Sequence, residues 1–227
     1  MHLRAGRTTS FAVTSLVALL VLAALALPRV SLAAEEPAAV LDKPAERRAG
    51  LVLGMQGGFG LAGSSGFPNK ATLINDPAFY SSSDLMIGSG GSFLVMGALT
   101  DYLSFGIWLG GGSYQSATWR SSGGGGGFRV EAFPLYGVFP KLRDLGVFTQ
   151  LGVGSATLET KLPGKYPTAD GAQSCIGAGV FYEFSLFKLI GGHVATGPSL
   201  EYDAIFARSI ERHSALLGGR FIFYGGI

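Results

Sequence analysis

Along most of this chain apolar and polar residues alternate one for one, and glycine makes up much of the polar parity. In the last segment Leu217, Gly219, Phe221, Phe223 and Ile227 share one parity, against Gly218, Arg220, Ile222 and Tyr224 on the other. Side chains of a β-strand alternate between its two faces, so such a segment has one oily face and one small or polar face. The division recurs upstream. Leu103, Phe105, Ile107 and Leu109 oppose Ser104, Gly106, Gly110 and Gly112, and Leu145, Val147, Leu151 and Val153 oppose Gly146, Gln150, Gly152 and Gly154. Ile176, Val180, Tyr182, Phe184 and Leu186 oppose Gly177, Gly179 and Glu183. Val194, Leu200, Tyr202 and Phe206 oppose Gly197, Glu201 and Asp203, and Val130, Tyr136 and Val138 oppose Arg129 and Glu131.

The pattern predicts eight strands, over 49–63, 85–99, 103–117, 124–139, 145–158, 174–187, 192–207 and 213–227. Each exceeds the roughly 9–11 residues that a tilted strand needs to cross a bilayer. Between them lie turn and loop signals: a long loop over 64–84, a turn at Thr100-Asp101-Tyr102, and a flexible loop from Ser121 through the Gly123–Gly127 run. A short turn follows at 141–144, a long loop at 160–173, a turn at Ile190-Gly191-Gly192 and a closing loop at Ser209–Arg212. Long connections alternating with short ones suit a barrel with periplasmic turns and extracellular loops, although the last outer loop is short.

A soluble sandwich also alternates, but its solvent face carries many Lys, Glu and Thr residues. Here the small face is Gly, Ser and Ala with a few charges, which fits a narrow packed lumen, so the oily face is read as facing lipid. Tyr102, Tyr136, Phe139, Phe187 and Tyr224 fall toward one end, and Tyr114, Trp119 and Phe128 toward the other, as two interfacial girdles would. Pro134 and Pro198 run against the pattern. Without a backbone N–H each must sit at a bulge or near an interface.

Composition points the same way. Charged residues make up 14% of the chain, against about 25% in ordinary soluble domains, and 36 glycines are spread through the strand-like segments. His2, Arg4 and Arg7 precede an apolar run from Phe11 to Leu27, and Ser31-Leu32-Ala33 offers a small-residue cleavage site. Residues 1–34 are therefore expected to be a signal peptide cut near Ala33/Ala34. Removing Arg4, Arg7 and Arg29 takes 17 basic residues to 14 against 15 acidic ones. The mature chain is then near −1, and with no Lys/Arg cluster beyond Arg47-Arg48 nucleic-acid binding is excluded. Residues 35–48, rich in Ala, Glu, Pro and Arg, are expected to form a flexible periplasmic tail, with the barrel domain at 49–227. One cysteine, Cys175, allows no intramolecular disulfide and no cysteine-rich metal site.

Strand count, alternation, leader and closing strand together resemble the small eight-stranded outer-membrane barrels, the OmpA/OmpX/OmpW-like group. The resemblance covers residues 49–227 and is architectural. It implies an all-β, eight-stranded antiparallel up-and-down transmembrane β-barrel in the outer membrane of a Gram-negative bacterium. Its implied partners are outer-membrane lipid and the barrel-assembly machinery, with a monomer expected and the loop partners open. Members usually end in an aromatic residue that this machinery reads. Phe221 and Phe223 stand on the right face, but the chain closes with Tyr224-Gly225-Gly226-Ile227, a weaker signal. No peptidoglycan-binding domain is expected.

The candidate site is the interior charge set: Arg129, Glu131, Glu201, Asp203 and Arg220, all on the inward parity and near mid-height. An eight-stranded lumen is just wide enough for side chains to fill, and buried charges there must pair. The set is expected to form a salt-bridge network that plugs the barrel, with a gated ion path or small polar ligand site as the other reading. No catalytic residues are assigned. His193 and His213 are read as turn or loop residues, and His213-Ser214 point to opposite faces. Gly58–Gly63 matches G-x-G-x-x-G, but no helix opens there. Gly123–Gly127 lacks the Lys-Ser/Thr of a phosphate loop. No cofactor or metal is expected. The expected role is structural, or surface interaction through the extracellular loops; the alternative is a channel for small solutes or hydrophobic compounds.

Overall fold

A computed structural model describes residues 48–162, 164, 166–189 and 191–226. The expected signal peptide and residues 35–47 of the expected tail lie outside the described residues. Eight strands form one antiparallel sheet: β1 Gly50–Gly66, β2 Met86–Thr100, β3 Leu103–Gln115, β4 Trp119–Ala132 and β5 Leu145–Thr160. β6 has two pieces, Ala169–Tyr182 and Phe184–Leu189, and is followed by β7 Gly192–Phe206 and β8 Ile210–Gly225. Each strand pairs with the next and β8 pairs with β1, from Leu51↔Gly225 to Gly66↔Ile210. Closure leaves no sheet edge, so the backbone can lie in lipid without unpaired polar groups.

Register sets the tilt. From Phe223 the pairing runs through Leu53, Val95, Ile107, Phe128, Leu151, Ile176 and Ala204, and returns to β8 at His213, ten residues from its start. Such a stagger is what closure with tilted strands requires.

The oily parity faces outward. Phe59 is 77% exposed, Phe93 65% and Leu217 67%, and the belt continues through Leu53, Ile107, Leu109, Leu151, Val153 and Leu200. Phe105 stacks on Phe128 on this face, with ring centroids 5.8 Å apart. A continuous exposed apolar belt on a closed sheet with charged side chains inside makes this a transmembrane β-barrel. Among the described residues no helix is long and apolar enough to cross a membrane.

Three expectations change. The Gly123–Gly127 run is not a loop but the middle of β4, and its outer connection shrinks to residues 116–118. There it completes a belt of paired glycines across five adjacent strands: Gly218-Gly219, Gly57-Gly58, Gly90-Gly91, Gly111-Gly112 and Gly123-Gly124 stand in register. A Cβ at Gly58 would run into the Leu217 carbonyl and the Gly218 Cα. The belt lets the sheet curl where side chains on either face would not fit.

The fourth strand ends at Ala132, because Pro134 cannot extend the ladder, so Tyr136 and Val138 belong to an inner loop over 133–144. Pro198 lies opposite the gap in β6, between the pairs Phe181↔Ser199 and Phe184↔Thr196. Just beyond, β6 bulges between Ser185 and Phe187, and Val194, opposite Phe187 and Phe223, is buried despite its outer parity.

The girdle is also smaller than expected. Tyr114, Trp119 and Tyr224 are buried, whereas Tyr102, Phe128, Phe139 and Phe187 are exposed.

Candidate functional site

Inward side chains from all eight strands line the lumen, and its polar centre is built around Glu131. Arg220 donates to both oxygens of Glu131, through Nη1 at 3.1 Å and Nη2 at 2.8 Å. Arg129 donates through Nε to Glu131 Oε1 at 2.8 Å. β4 presents Arg129 and Glu131 two residues apart on one face, and β8 supplies Arg220 from elsewhere on the wall, next to Gln56. All three side chains are fully buried. At that burial an unpaired charge would suffer a large desolvation penalty, which the charge-assisted bonds offset.

The guanidiniums are also stacked. Arg129 lies 3.5 Å from the Phe148 ring centroid, and Arg220 lies 3.6 Å from that of Phe181. An aromatic face against each planar cation fills the space above it and adds cation–π attraction. Phe148, Phe181 and Phe133 form one buried aromatic cluster beneath the charges.

Glu201 and Asp203 lie above this centre, and no ion pair joins them to Arg129 or Arg220. Two glutamine amides hold them instead. Gln56 Nε2 donates to Glu201 at 2.6 Å, and Gln150 Nε2 donates to Glu201 at 3.0 Å and Asp203 at 2.7 Å. The oxygens of the same two amides accept from Arg129, each at 3.0 Å. Gln56 and Gln150 therefore couple the carboxylate pair to the arginine layer. Sequence parity placed Gln150 on the inner face, but no pattern said that its amide would bridge two strands.

Toward the inner end the chain of contacts continues. Arg220 reaches Glu183 at 3.2 Å, and Glu183 accepts from the Tyr224 hydroxyl at 2.8 Å. Glu183 occupies the break in β6. Beneath it, Arg48 is 3% exposed. Its Nη2 lies 2.7 Å from Asp144 and 3.5 Å from Glu183, and its guanidinium is 3.6 Å from the Phe133 centroid. Its backbone N–H donates to Asp101 Oδ1 at 2.8 Å, and Nη1 donates to the Asp101 carbonyl at 3.1 Å. The last residue of the segment expected to be a flexible tail is thus held by the β2–β3 turn, the 133–144 loop and β6.

The outer end is apolar. Ala62, Met86, Trp119, Leu158, Ala169 and Ile210 sit on the inner parity at the outer ends of six strands and pack as one buried cluster. The loops above are tied together: Asn69 N–H to Asp170 Oδ1 at 3.2 Å, Ser81 Oγ to the Pro167 carbonyl at 2.7 Å, and Phe67 N–H to the Ser209 carbonyl at 2.6 Å. Tyr166 packs on Trp119 with centroids 5.1 Å apart.

Both histidines have partners. His193, at the start of β7, stacks on Tyr224 at 5.0 Å. His213, expected in a turn or loop, lies on β8 with its Nδ1 2.6 Å from the Tyr202 hydroxyl and its Nε2 2.6 Å from Glu211 Oε1. Ser214 points the other way, into the lumen, so no Ser–His pair forms. Among the described residues no group of three His, Cys, Asp or Glu side chains could hold a metal ion.

No family model matches the sequence, and no curated protein is similar to it. Solved structures with a similar course of chain include Ail, the attachment invasion locus protein of Yersinia pestis. It is 10% identical over 77% of this chain and 99% of Ail, with a TM-score of 0.44. Neisserial surface protein A is 10% identical over 76% and 96% of the two chains, also at 0.44. The N-terminal β-barrel domain of Pseudomonas aeruginosa OprF is 16% identical over 78% and 99%, at 0.40. Likeness at that level adds no argument to what the belt and the closed register establish.

Proposed function

We propose that this protein is a plugged outer-membrane barrel with a non-enzymatic role, in which a sealed wall carries a rigid extracellular platform for structural or surface interaction. The observation that supports it is the uninterrupted side-chain stack along the lumen: Arg48, Glu183, Arg220, Glu131, Arg129 and the Gln56/Gln150 pair, with an apolar cap above. An ion moving through would have to part charge pairs in a medium where each uncompensated charge costs several kcal/mol. Nor does the stack relay protons, since guanidiniums stay protonated and amides do not shuttle.

The platform reading is supported by the outer loops. Hydrogen bonds tie Asn69 to Asp170 and Ser81 to Pro167, while Tyr80, Leu85, Leu162 and Tyr166 stay exposed. Ordered loops with exposed aromatic and apolar side chains lose little entropy on meeting a partner.

The test is made in cells. Overproduction in the outer membrane should leave the entry rate of a small hydrophilic β-lactam, read by periplasmic hydrolysis, at its background value. A rate that rises with the amount of folded barrel would contradict the plug and favour the transport reading.

A further inference from the structure

Between the apolar cap and the carboxylate pair the lumen holds a cavity of ≈ 30 Å³. One wall is the glycine belt, with Gly110, Gly112 and Gly125 contributing no side chains. The rest is mixed: the polar Glu201, Asp203, Arg212 and Ser92, with the Trp108 indole, stand beside the apolar Ile205 and Leu216. Among the described residues seven buried side-chain atoms have no hydrogen-bond partner, and four of them belong to this lining: Ser92 Oγ, Trp108 Nε1, Arg212 Nε and Arg212 Nη1. Ser92 is 8% exposed, and Trp108 and Arg212 are each 4% exposed. Unlike Arg129 and Arg220, Arg212 makes no ion pair among the described residues; Asp203 acts on it through space, and the Tyr114 ring centroid lies 5.7 Å from its guanidinium carbon.

Buried donors without acceptors are rare in folded proteins, and a cluster of them around one space marks a bound polar species. Three orphaned groups need acceptors, while the Asp203 carboxyl, bonded to Gln150 and in contact with Glu201, still has lone pairs to spare. One small molecule that both accepts and donates satisfies the two sides together. The space is about that of one or two waters, too little for an organic ligand.

We propose that this cavity is a hydration site, in which one or two waters accept from Arg212 and the Trp108 indole and donate to Asp203. Such waters link the buried guanidinium to the carboxylate that acts on it through space. Occupancy by water does not depend on conductance, so the proposal stands apart from the sealed-lumen reading.

The test uses the refolded full barrel in detergent, labelled with 15N at tryptophan. Trp108 and Trp119 are the only two tryptophans, so replacing Trp119 by Phe assigns both indole signals. Expected is a water cross-peak at the Trp108 Nε1–H with the sign of a nuclear Overhauser effect rather than of chemical exchange. Arg212→Met, which removes most of the donors, should weaken the cross-peak several-fold; Arg212→Lys should retain it. A folded wild-type spectrum without this cross-peak would mean a dry cavity and overturn the proposal.

Discussion

Arg220 on β8 crosses the lumen to grip both carboxylate oxygens of Glu131 on β4, at 3.1 and 2.8 Å. The same carboxylate takes Arg129 from its own strand, so one anion holds two buried cations. Replacing it by an amide leaves Arg129 with no ion pair and Arg220 with Glu183 alone. Glu131→Gln should therefore destabilise the folded barrel by about 3–5 kcal/mol, read as a lowered urea midpoint in refolding experiments. Combining it with Arg220→Met should recover part of the loss, because the second change removes one of the two buried cations. An unchanged midpoint in the single variant would mean that the pair carries no weight.

Arg48 is held at the inner end by ion pairs to Asp144 and Glu183, two bonds to Asp101 and a stack on Phe133. Arg48→Ala should leave a folded, heat-modifiable barrel that has lost about 1–3 kcal/mol. In native-state hydrogen exchange the amides of residues 133–144 should lose protection while those of β1 keep theirs. Equal protection in both forms would show that the latch is incidental.

The glycine belt should be sensitive to position rather than to residue type. At Gly58 a side chain meets the backbone of β8, whereas at Gly63 a Cβ has nothing within 4 Å. Gly58→Val should sharply reduce the fraction that reaches the compact, fast-migrating form on unheated gels, and Gly63→Ser should leave it unchanged. Comparable yields would contradict close approach at the belt.

Phe93 pairs with Met55 in the middle of the outer belt. If that belt lies in lipid, Phe93→Arg should cost about 2–4 kcal/mol in bilayers. A protein whose outer face met water would instead tolerate the change and become more soluble.

How far the alternation carried can be seen from single residues. It assigned Arg129, Glu131, Glu201, Asp203 and Arg220 to the lumen, because strand parity alone decides the face. Parity does not say which side chains meet across a closed sheet; that depends on strand stagger. Gln56 and Gln150 as bridges, and Glu201 and Asp203 held by amides rather than by arginine, were therefore illegible.

Arg48 escaped for a different reason, since it precedes the first periodic segment and carries no parity. Gly123–Gly127 reads as a flexible loop when taken alone, because glycine suits a loop and a crowded strand equally. Only its register with Gly111-Gly112 distinguishes the two. For Tyr114 and Tyr224 the signal was present: they share parity with Gly112 and Arg220, so an interfacial placement conflicted with the alternation itself.

Conductance reads whether the lumen is sealed. Purified, refolded barrel reconstituted into planar bilayers in molar potassium chloride should give no steady, protein-dependent current at moderate voltage, while Glu131→Gln should raise the frequency of openings. Stable wild-type conductance steps that scale with the amount of inserted protein would contradict the account.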